Sequence, residues 1–347
     1  YTAFETCKLV FFGLLGSFIV NLGVNLHTIY VFTLGYPNEN PVPFWKILSW
    51  YNPEKYWYPN ATRFIPNTIH EFPSYSWVVA DMHGHVFDIP FVLLTLAILF
   101  MIFVSFRKSE AIEKSSVSVT LRPVKRDFAR FLASLGMTGW VVLLGFLTAI
   151  HYMTNAFDGP IYILLSITIL FIVYRLTKQF LVNALALIGS FLLFVLPFSI
   201  HFKPFATDIG LNCSPEFLLN IKRVGPFLFE KGNCQVSPLW MLLVLWGFFW
   251  VSFIIFAVIK RVKSTINNQQ STIDLFIFIL FTFGTFLIVI PEFFYIKDIY
   301  PAHFRANTMF KMGYQAFIIM GIASVYNFFK IKLLDKIKSR LFAFIFI

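Results

Sequence analysis

The chain has 347 residues, of which 58% are hydrophobic and 13% are charged, whereas soluble globular proteins carry about 45–50% apolar and 25% charged residues. So little polar surface cannot cover a soluble domain of this length, and the same figures exclude a disordered chain, a coiled coil and a disulfide-dense secreted scaffold. The sequence therefore predicts a polytopic membrane protein, and the net charge of +11 has to be interpreted through its topology.

Eight apolar runs are candidates for membrane spans, because a helix needs about 20 mostly apolar residues to cross the hydrocarbon core. In chain order they are Leu9–Leu34, Val86–Phe106, Phe131–Met153, Ile161–Tyr174, Phe180–Ile200, Leu239–Ile259, Ile273–Ile290 and Met312–Phe329. Backbone groups in lipid must be hydrogen-bonded within the segment, so helices are predicted rather than open strands. The expected fold is all-α, with about eight transmembrane helices forming a single integral membrane domain over residues 1–347.

The distribution of lysine and arginine predicts the orientation of the connections, because cytoplasmic loops are enriched in these residues. One set of connections carries 18 basic residues and consists of the N-terminus and segments 107–130, 175–179, 260–272 and 330–340. The opposite set carries 10 and consists of segments 35–85, 154–160, 201–238 and 291–311. The first set is therefore predicted to be cytoplasmic and the second extracytoplasmic in a cell membrane, so the basic excess requires no nucleic-acid partner.

Aromatic residues are concentrated in the first outer connection, namely Trp45, Trp50, Tyr51, Tyr56, Trp57 and Tyr58. Two interpretations are open and both can hold. Amphipathic rings favour the headgroup zone, which would make this segment an interfacial belt. Flat apolar rings also cover sugar faces, which would make it a platform for a carbohydrate or a lipid headgroup.

The same connection ends in ionisable residues directly before the second run, with Glu71 followed by Asp81-Met-His83-Gly-His85. An extended segment would point Asp81, His83 and His85 the same way, and a helix would place Asp81 and His85 on one face. Either geometry can bring a carboxylate and an imidazole onto one divalent cation, Mn²⁺ or Mg²⁺ before Zn²⁺, with Glu71 as a further ligand or base. The alternatives are a helix cap and ordinary interfacial histidines. Asp88 is expected to be a hydrogen-bond partner of the histidines.

Two later outer turns carry further candidate groups. Asn155 and Asp158 belong to a site or simply cap the following helix. Glu292 ends an apolar run, where a charged group is costly and is usually retained for a task. Arg305 and Lys311 can bind a phosphate or pyrophosphate; the alternative is that they form ion pairs with Glu292 and Asp298.

The three cysteines, Cys7, Cys213 and Cys234, match no zinc or redox spacing. Cys213 and Cys234 share one outer connection in a compartment that permits oxidation. A disulfide between them and two free thiols are both open at this point.

Five motifs occur in a fixed order. They are Ala61-Thr-Arg63-Phe-Ile-Pro66, Glu71-Phe-Pro-Ser-Tyr-Ser, Asp81-Met-His83-Gly-His85 with Pro90-Phe91, Thr154-Asn155-Ala-Phe-Asp158-Gly-Pro-Ile-Tyr162, and Glu292-Phe-Phe-Tyr295-Ile-Lys-Asp298 with Arg305-Ala-Asn307-Thr-Met-Phe-Lys311. Over most of the chain they resemble the YYY-type membrane proteins of archaea and bacteria, a family known by sequence more than by activity. That family looks similar to the GT-C superfamily of polytopic glycosyltransferases, which use polyprenyl-phosphate-linked sugars at the outer face.

The resemblance implies roles for individual residues. The implied catalytic acids are Asp81, Glu71, Glu292 and Asp158; the implied metal ligands are Asp81, His83 and His85; the implied substrate-binding residues are Arg63, Asn155, Arg305, Asn307 and Lys311. Asp81 and His83 would fill the metal site of the second outer loop, Glu292 would position the acceptor, and Arg305 and Lys311 would hold the lipid phosphate. The Tyr-Tyr-Tyr-x-Gly signature of the family does not occur in the 347 residues. We expect it, with the acid of the first outer loop, to precede Tyr1, so that this sequence would be a fragment.

The leading functional hypothesis is a membrane glycosyltransferase that uses a polyprenyl-phosphate sugar and a divalent metal. The alternatives are a multi-pass transporter and a non-catalytic lipid-binding subunit. A transporter would place ionisable residues deep inside the spans, often in repeated halves. Polar positions within the predicted spans are few and no internal repeat is found, so the transporter ranks second.

Overall fold

A computed structural model describes residues 3–22, 62–114, 123–204, 208–267, 272–297 and 303–332. The aromatic residues between Trp45 and Tyr58 lie outside these described residues, and so does Asp298. Their predicted roles as a belt or platform and as an ion-pair partner stay predictions.

The described part of the chain is mostly helical, as the sequence predicts. The helices are α1 (Ala3–Leu22), α2 (Pro73–Val78), α3 (Gly84–Phe87), α4 (Ile89–Lys114), α5 (Pro123–Thr154), α6 (Asp158–Tyr174), α7 (Lys178–Ser199), α8 (Glu216–Ile221), α9 (Leu239–Asn267), α10 (Thr272–Phe293) and α11 (Ala306–Lys332). Four short strands also occur, β1 (Ile209–Leu211), β2 (Arg223–Val224), β3 (Phe227–Leu228) and β4 (Phe294–Ile296). The all-α prediction therefore missed a small sheet.

Each of the eight predicted runs overlaps a helix, and the second run, Val86–Phe106, overlaps both α3 and α4. Among the described residues, five helices are long and apolar enough to cross a membrane, namely Ile89–Phe106, Lys178–Ser199, Leu239–Ile259, Thr272–Phe293 and Ala306–Phe328. Three apolar helices are shorter, namely Gly13–Leu22, Thr138–Thr154 and Asp158–Tyr174. The prediction of a multi-pass helical membrane protein is confirmed, and the number of eight spans stays a prediction.

The chain divides into two compact units. The first unit contains residues 1–81, 204–269 and 277–347. The second unit contains residues 82–203 and 270–276, so the first turn of α10 belongs to it. The two units are described separately below.

Helix α11 forms the core of the first unit, since 78% of its apolar stretch Ala306–Phe328 is buried. Three helices of the unit pack against it. A Cβ atom at Gly16 of α1 would lie 3.6 Å from Val325, and one at Gly284 of α10 would lie 2.3 Å from Met320. The Nδ2 of Asn327 donates to the backbone oxygen of Ser252 in α9 over 2.8 Å. Small residues and one buried amide therefore set the close approach of these helices.

The sheet belongs to the first unit and has the strand order β2-β3-β1-β4. Strands β1 and β3 are parallel, whereas the β1–β4 and β2–β3 pairs are antiparallel. Gly210 in β1 faces the ring of Tyr295 in β4, and a Cβ atom there would lie 2.0 Å from that ring. The sheet therefore ties the connection between α7 and α9 to the end of α10.

The second unit consists of the short helix α3 and the helices α4, α5, α6 and α7. Helix α5 is interrupted at Gly136, whose φ of 64° is one that glycine adopts without steric cost. A Cβ atom at Gly145 would lie 2.4 Å from the Cβ of Ser190, so α5 and α7 approach each other through small residues. The side chain of Thr177 caps α7 by accepting from the backbone N–H of Phe180.

Candidate functional site

The segment from Thr62 to Asp81 of the first unit is a compact loop fastened to α9 and α11. Phe64 packs edge-on against Trp240 at a ring distance of 5.7 Å, and Phe72 packs against Phe317 at 5.0 Å. Inside the loop, the Thr68 hydroxyl donates to the backbone oxygen of Ile65 over 2.7 Å. These contacts hold the residues that follow Phe72 in a defined place.

Two acids of this loop approach each other although they are ten positions apart in the sequence. A carboxylate oxygen of Glu71 lies within 4.8 Å of one of Asp81. The intervening helix α2 begins at Pro73, which suits a first helical position, and the backbone N–H of Asp81 donates to Ser76 over 2.8 Å after it ends. Glu71 is 9% exposed and Asp81 is half-buried. The fold thus makes a carboxylate pair that is open on the Asp81 side.

Helix α11 presents polar groups toward this loop. Tyr314 Oη lies 3.5 Å from Ser76 Oγ in α2. Asn307 and Lys311 are seven and three residues before Tyr314, so all three lie on one face of α11. The Nζ of Lys311 lies 4.3 Å above the ring of Phe310. The face of α11 that carries Asn307 and Lys311 is therefore the one directed at the segment between Glu71 and Asp81.

Arg305 and Glu292 form an ion pair directly before α11 begins. This is the alternative that the sequence left open beside phosphate binding by Arg305. Arg305 Nη1 donates to Glu292 over 3.0 Å and Nη2 donates to Ser237 Oγ over 3.1 Å. The hydroxyl and backbone N–H of Ser237 both donate to Glu292. Arg305 is only 1% exposed, and this burial lowers the pKa of its guanidinium while the charge of Glu292 counteracts the effect. Among the described residues, its Nε has no hydrogen-bond partner.

A second polar group surrounds Tyr295 in β4. The Tyr295 hydroxyl donates to Glu230 over 3.0 Å and accepts from the Asn233 amide over 2.7 Å. Lys297 forms an ion pair with the other oxygen of Glu230. Burial, with the charge of Glu230 adding to it, raises the pKa of Tyr295 to about 12. The phenol therefore keeps its proton and donates a hydrogen bond at neutral pH. The contacts among Tyr295, Glu230, Asn233 and Lys297 fasten strand β4 to the segment that follows β3.

A disulfide joins Cys213 and Cys234, which resolves the alternatives that the sequence left open. The Asn212 amide next to it donates to Gln235 and to Glu292, each over 2.8 Å. The disulfide thus braces the connection that supplies Ser237 to the Arg305–Glu292 pair.

Reduction of this disulfide is predicted to destabilise the first unit. Replacing Cys213 by Ser should lower the unfolding free energy by about 2–4 kcal/mol, because the bond constrains the unfolded chain. Thermal unfolding in detergent, with and without reductant, measures the effect. The control is Cys7→Ser, which should stay as sensitive to reductant as the wild type. An unchanged midpoint for Cys213→Ser would contradict the prediction.

An apolar cavity of about 440 Å³ lies in the first unit between the sheet and helices α10 and α11. Its walls include Phe286 and Phe293 of α10, Ile209 of β1 and Met312 of α11. Thr308 also lines it, one turn before Met312. The face of α11 that borders the cavity is therefore adjacent to the face that carries Lys311.

The second unit contains a fully buried cluster of ionisable side chains. Asp88, His151 and Asp158 are each 0% exposed. His151 Nδ1 donates to the two oxygens of Asp88 over 2.9 and 2.7 Å, and its Nε2 lies 2.9 Å from the Thr95 hydroxyl. The Asp158 carboxyl is in hydrogen-bonding contact with Asp88. The sequence predicted Asp88 as a partner of the motif histidines His83 and His85, whereas the histidine that donates to it inside this cluster is His151.

The two histidines of the Asp81-Met-His83-Gly-His85 motif lie in the second unit. Their rings stack at 5.7 Å, with His85 buried and His83 exposed. Asp81 is the last residue of the first unit, so the predicted metal set of Asp81, His83 and His85 is divided by the boundary between units and stays a prediction. Gly84 lies between the two histidines of the motif. Only glycine fits this position without a clash, since a Cβ atom here would lie 2.0 Å from the Thr154 carbonyl oxygen.

Replacing Gly84 by Ala is predicted to destabilise the second unit. The added methyl collides with backbone rather than with a movable side chain, so a loss of about 1–3 kcal/mol is expected. Thermal unfolding in detergent measures it. Gly189→Ala in α7 is the matched control, because nothing lies within 4 Å of a Cβ there and alanine favours a helix. Equal effects of the two substitutions would contradict the prediction.

The structure distributes the remaining predicted site residues between the two units. Arg63 is half-buried in the first unit, where Arg305, Asn307 and Lys311 line the start of α11. Asn155 and Asp158 lie in the second unit at the start of α6. Sequence reasoning did not single out Ser237, Thr95 or Tyr162. A hydroxyl or phenol inside an apolar run gives little signal until its partner on another helix is known.

Comparison with known proteins gives one family match. Residues 2–280 and 265–320 match the model of the family described as "Uncharacterized membrane protein (DUF2298)". No curated protein and no solved structure shows significant similarity to the chain.

Proposed function

We propose that this chain, which belongs to the DUF2298 family of membrane proteins, transfers a sugar from a polyprenyl-phosphate carrier to an acceptor at the extracytoplasmic face of the cell membrane. The observation that carries the proposal is the carboxylate pair of Glu71 and Asp81, whose oxygens lie within 4.8 Å of each other. The pair lies on the loop toward which α11 directs Asn307 and Lys311. Acids and a cation are thus combined where a phosphate-linked sugar can react.

The carboxylate pair fits a divalent cation. Mn²⁺ and Mg²⁺ prefer oxygen ligands, and two carboxylates at this separation can contribute them. Asp81 would be the principal ligand, while the imidazoles of the motif remain ligands predicted from sequence. When bound, the ion would neutralise charge on the departing phosphate.

The side chains of the first unit account for the other steps. The acceptor hydroxyl gives its proton to Glu71 as its oxygen bonds to the sugar anomeric carbon, and the bond from that carbon to the carrier phosphate breaks. Lys311 attracts the phosphate as a point charge and Asn307 donates to it. Arg305 contributes its buried Nε–H, which has no hydrogen-bond partner among the described residues.

The apolar cavity beside α11 suits the polyprenyl chain of the donor. Its lining contains hydrocarbon side chains of α10, β1 and α11. Thr308 and Met312 border this cavity, and Lys311 lies between them in the sequence. A chain held there would place its phosphate near the Lys311 face.

The extracytoplasmic orientation is supported by two independent features. Lysine and arginine are fewer in the connections that carry the site, 10 against 18. The Cys213–Cys234 disulfide lies in one of these connections, and disulfides persist in oxidising compartments.

The test is a transfer assay with the full-length protein in proteoliposomes. The donor is a polyprenyl-phosphate hexose with a radiolabelled sugar, and the readout is metal-dependent release of label from the lipid. Release that requires Mn²⁺ or Mg²⁺ is expected. Lipid-linked label that stays intact with a panel of donor sugars and metals would overturn the proposal.

A transporter is the second candidate, because the second unit buries Asp88, His151 and Asp158 completely. Intramembrane ionisable groups are costly and often mark ion pathways. Substrate flux in the same proteoliposomes, in the absence of lipid-linked sugar, would favour this candidate.

A further inference from the structure

The buried cluster of the second unit has an unbalanced charge. Asp88 and Asp158 are acids, and His151 is the basic group in contact with them. Among the residues of this unit whose burial is described, no lysine or arginine is buried. Two ionised carboxylates beside a neutral imidazole would carry two uncompensated charges in a site without solvent contact, which is very costly.

The contact between the two carboxyl groups identifies what compensates the charge. Ionised carboxylates are acceptors only, so two of them cannot hydrogen-bond to each other. A hydrogen bond between Asp88 and Asp158 requires one proton on the pair. His151 cannot supply it directly to both, because its Nδ1 is engaged with Asp88 and its Nε2 with Thr95.

A polar strip on α6 continues from the cluster. Asp158, Tyr162 and Ser166 are four residues apart and therefore share one face of the helix. All three are 0% exposed, and the ring of Tyr162 lies 4.5 Å from that of His151. Ser166 Oγ has no hydrogen-bond partner within the described ranges. A bound water molecule would supply the hydrogen bond that this buried hydroxyl lacks. The same water would carry a proton along the strip.

We infer that Asp88, His151 and Asp158 form a proton-binding site, in which the two carboxyl groups share a proton at neutral pH. The ionisable groups that face it come from three parts of the unit: Asp88 precedes α4, His151 is on α5, and Asp158 and Tyr162 are on α6. The inference does not depend on glycosyl transfer.

The bound proton makes folding of the second unit sensitive to alkali. Unfolded aspartate releases its proton near pH 4, so at neutral pH the folded chain holds one proton more than the unfolded chain. Stability must then fall as the pH rises, with the unfolding constant increasing about tenfold per pH unit. Asp158→Asn removes the shared proton but keeps a donor for Asp88, so this slope should disappear.

The experiment compares unfolding of the full chain in detergent between about pH 7.5 and pH 9, where histidine is neutral in the unfolded chain as well. The variants are Asp158→Asn, Asp88→Asn and, as a control, Glu216→Gln, whose side chain is exposed in α8. A wild-type slope of one proton that is lost in both Asp variants and kept in the control is expected. The same slope in wild type and both Asp variants would overturn the inference, as would stabilisation that follows Na⁺ or Mg²⁺ concentration instead of pH.

Infrared spectroscopy provides a readout that does not require the variants to be stable. A carbonyl band of a protonated carboxylic acid, shifted by exchange into D₂O, should be present in the wild type and in Glu216→Gln at neutral pH. It should be lost in Asp158→Asn or Asp88→Asn, whichever folds. A wild-type spectrum without such a band would overturn the inference by itself.

Discussion

Replacing Glu292 by Gln should lower the unfolding free energy of the protein by about 3 kcal/mol or more. The reason is that Arg305 is 1% exposed and Glu292 is its charged partner. Removing one member of a buried pair leaves the other charge uncompensated, which costs about 3–5 kcal/mol. Ser237 would also lose an acceptor, since its hydroxyl and backbone N–H both donate to Glu292. Chemical unfolding in detergent micelles measures the change.

Asp208→Asn is the matched control, because it removes a carboxylate from an arginine in the same unit. The Arg223–Asp208 pair has a distance of 2.8 Å, but Arg223 is 60% exposed. Water screens such a pair, so a loss of at most about 1 kcal/mol is expected. The double variant Glu292→Gln with Arg305→Met should regain part of the lost stability, because no buried charge remains. Similar losses for Glu292→Gln and Asp208→Asn would show that burial does not set the strength of this pair.

The positions of the helices could be predicted because each depends on a local property. An apolar run overlaps a helix in every one of the eight predicted places, and five of the described helices are long and apolar enough to cross a membrane. The strands had no such signal, since each has two or three residues and no alternating pattern. Their pairing depends instead on partners elsewhere in the chain, such as Tyr295 opposite Gly210.

The chemistry of the site was predictable only in part, because it too depends on partners that are distant in the sequence. Glu71 and Asp81 were each selected as ionisable groups at a membrane boundary, but the sequence does not reveal that α2 brings them together. The contact between His151 and Asp88 spans 63 positions of the sequence. Composition therefore identified the polar residues, and tertiary structure decided which of them meet.

Replacing Asp81 by Asn should reduce sugar transfer by about 100-fold or more. Asp81 is the half-buried member of the carboxylate pair and the proposed metal ligand, and losing the ion removes several kcal/mol of charge stabilisation from the departing phosphate. Glu71→Gln should lower the rate by a factor of about 10²–10⁴, the usual contribution of a general base. Rates come from the label-release assay with a polyprenyl-phosphate hexose.

Metal titration separates the two roles. Asp81→Asn should weaken Mn²⁺ binding, measured by electron paramagnetic resonance, and higher Mn²⁺ should restore part of its rate. Glu71→Gln should keep more of its Mn²⁺ affinity and gain little from added metal, because a missing base is not replaced by an ion. Glu216→Gln, an exposed acid of the same unit, should match the wild type in both assays. Wild-type turnover in Asp81→Asn would exclude this carboxylate from the reaction, since Asp81 is the proposed principal ligand of the ion.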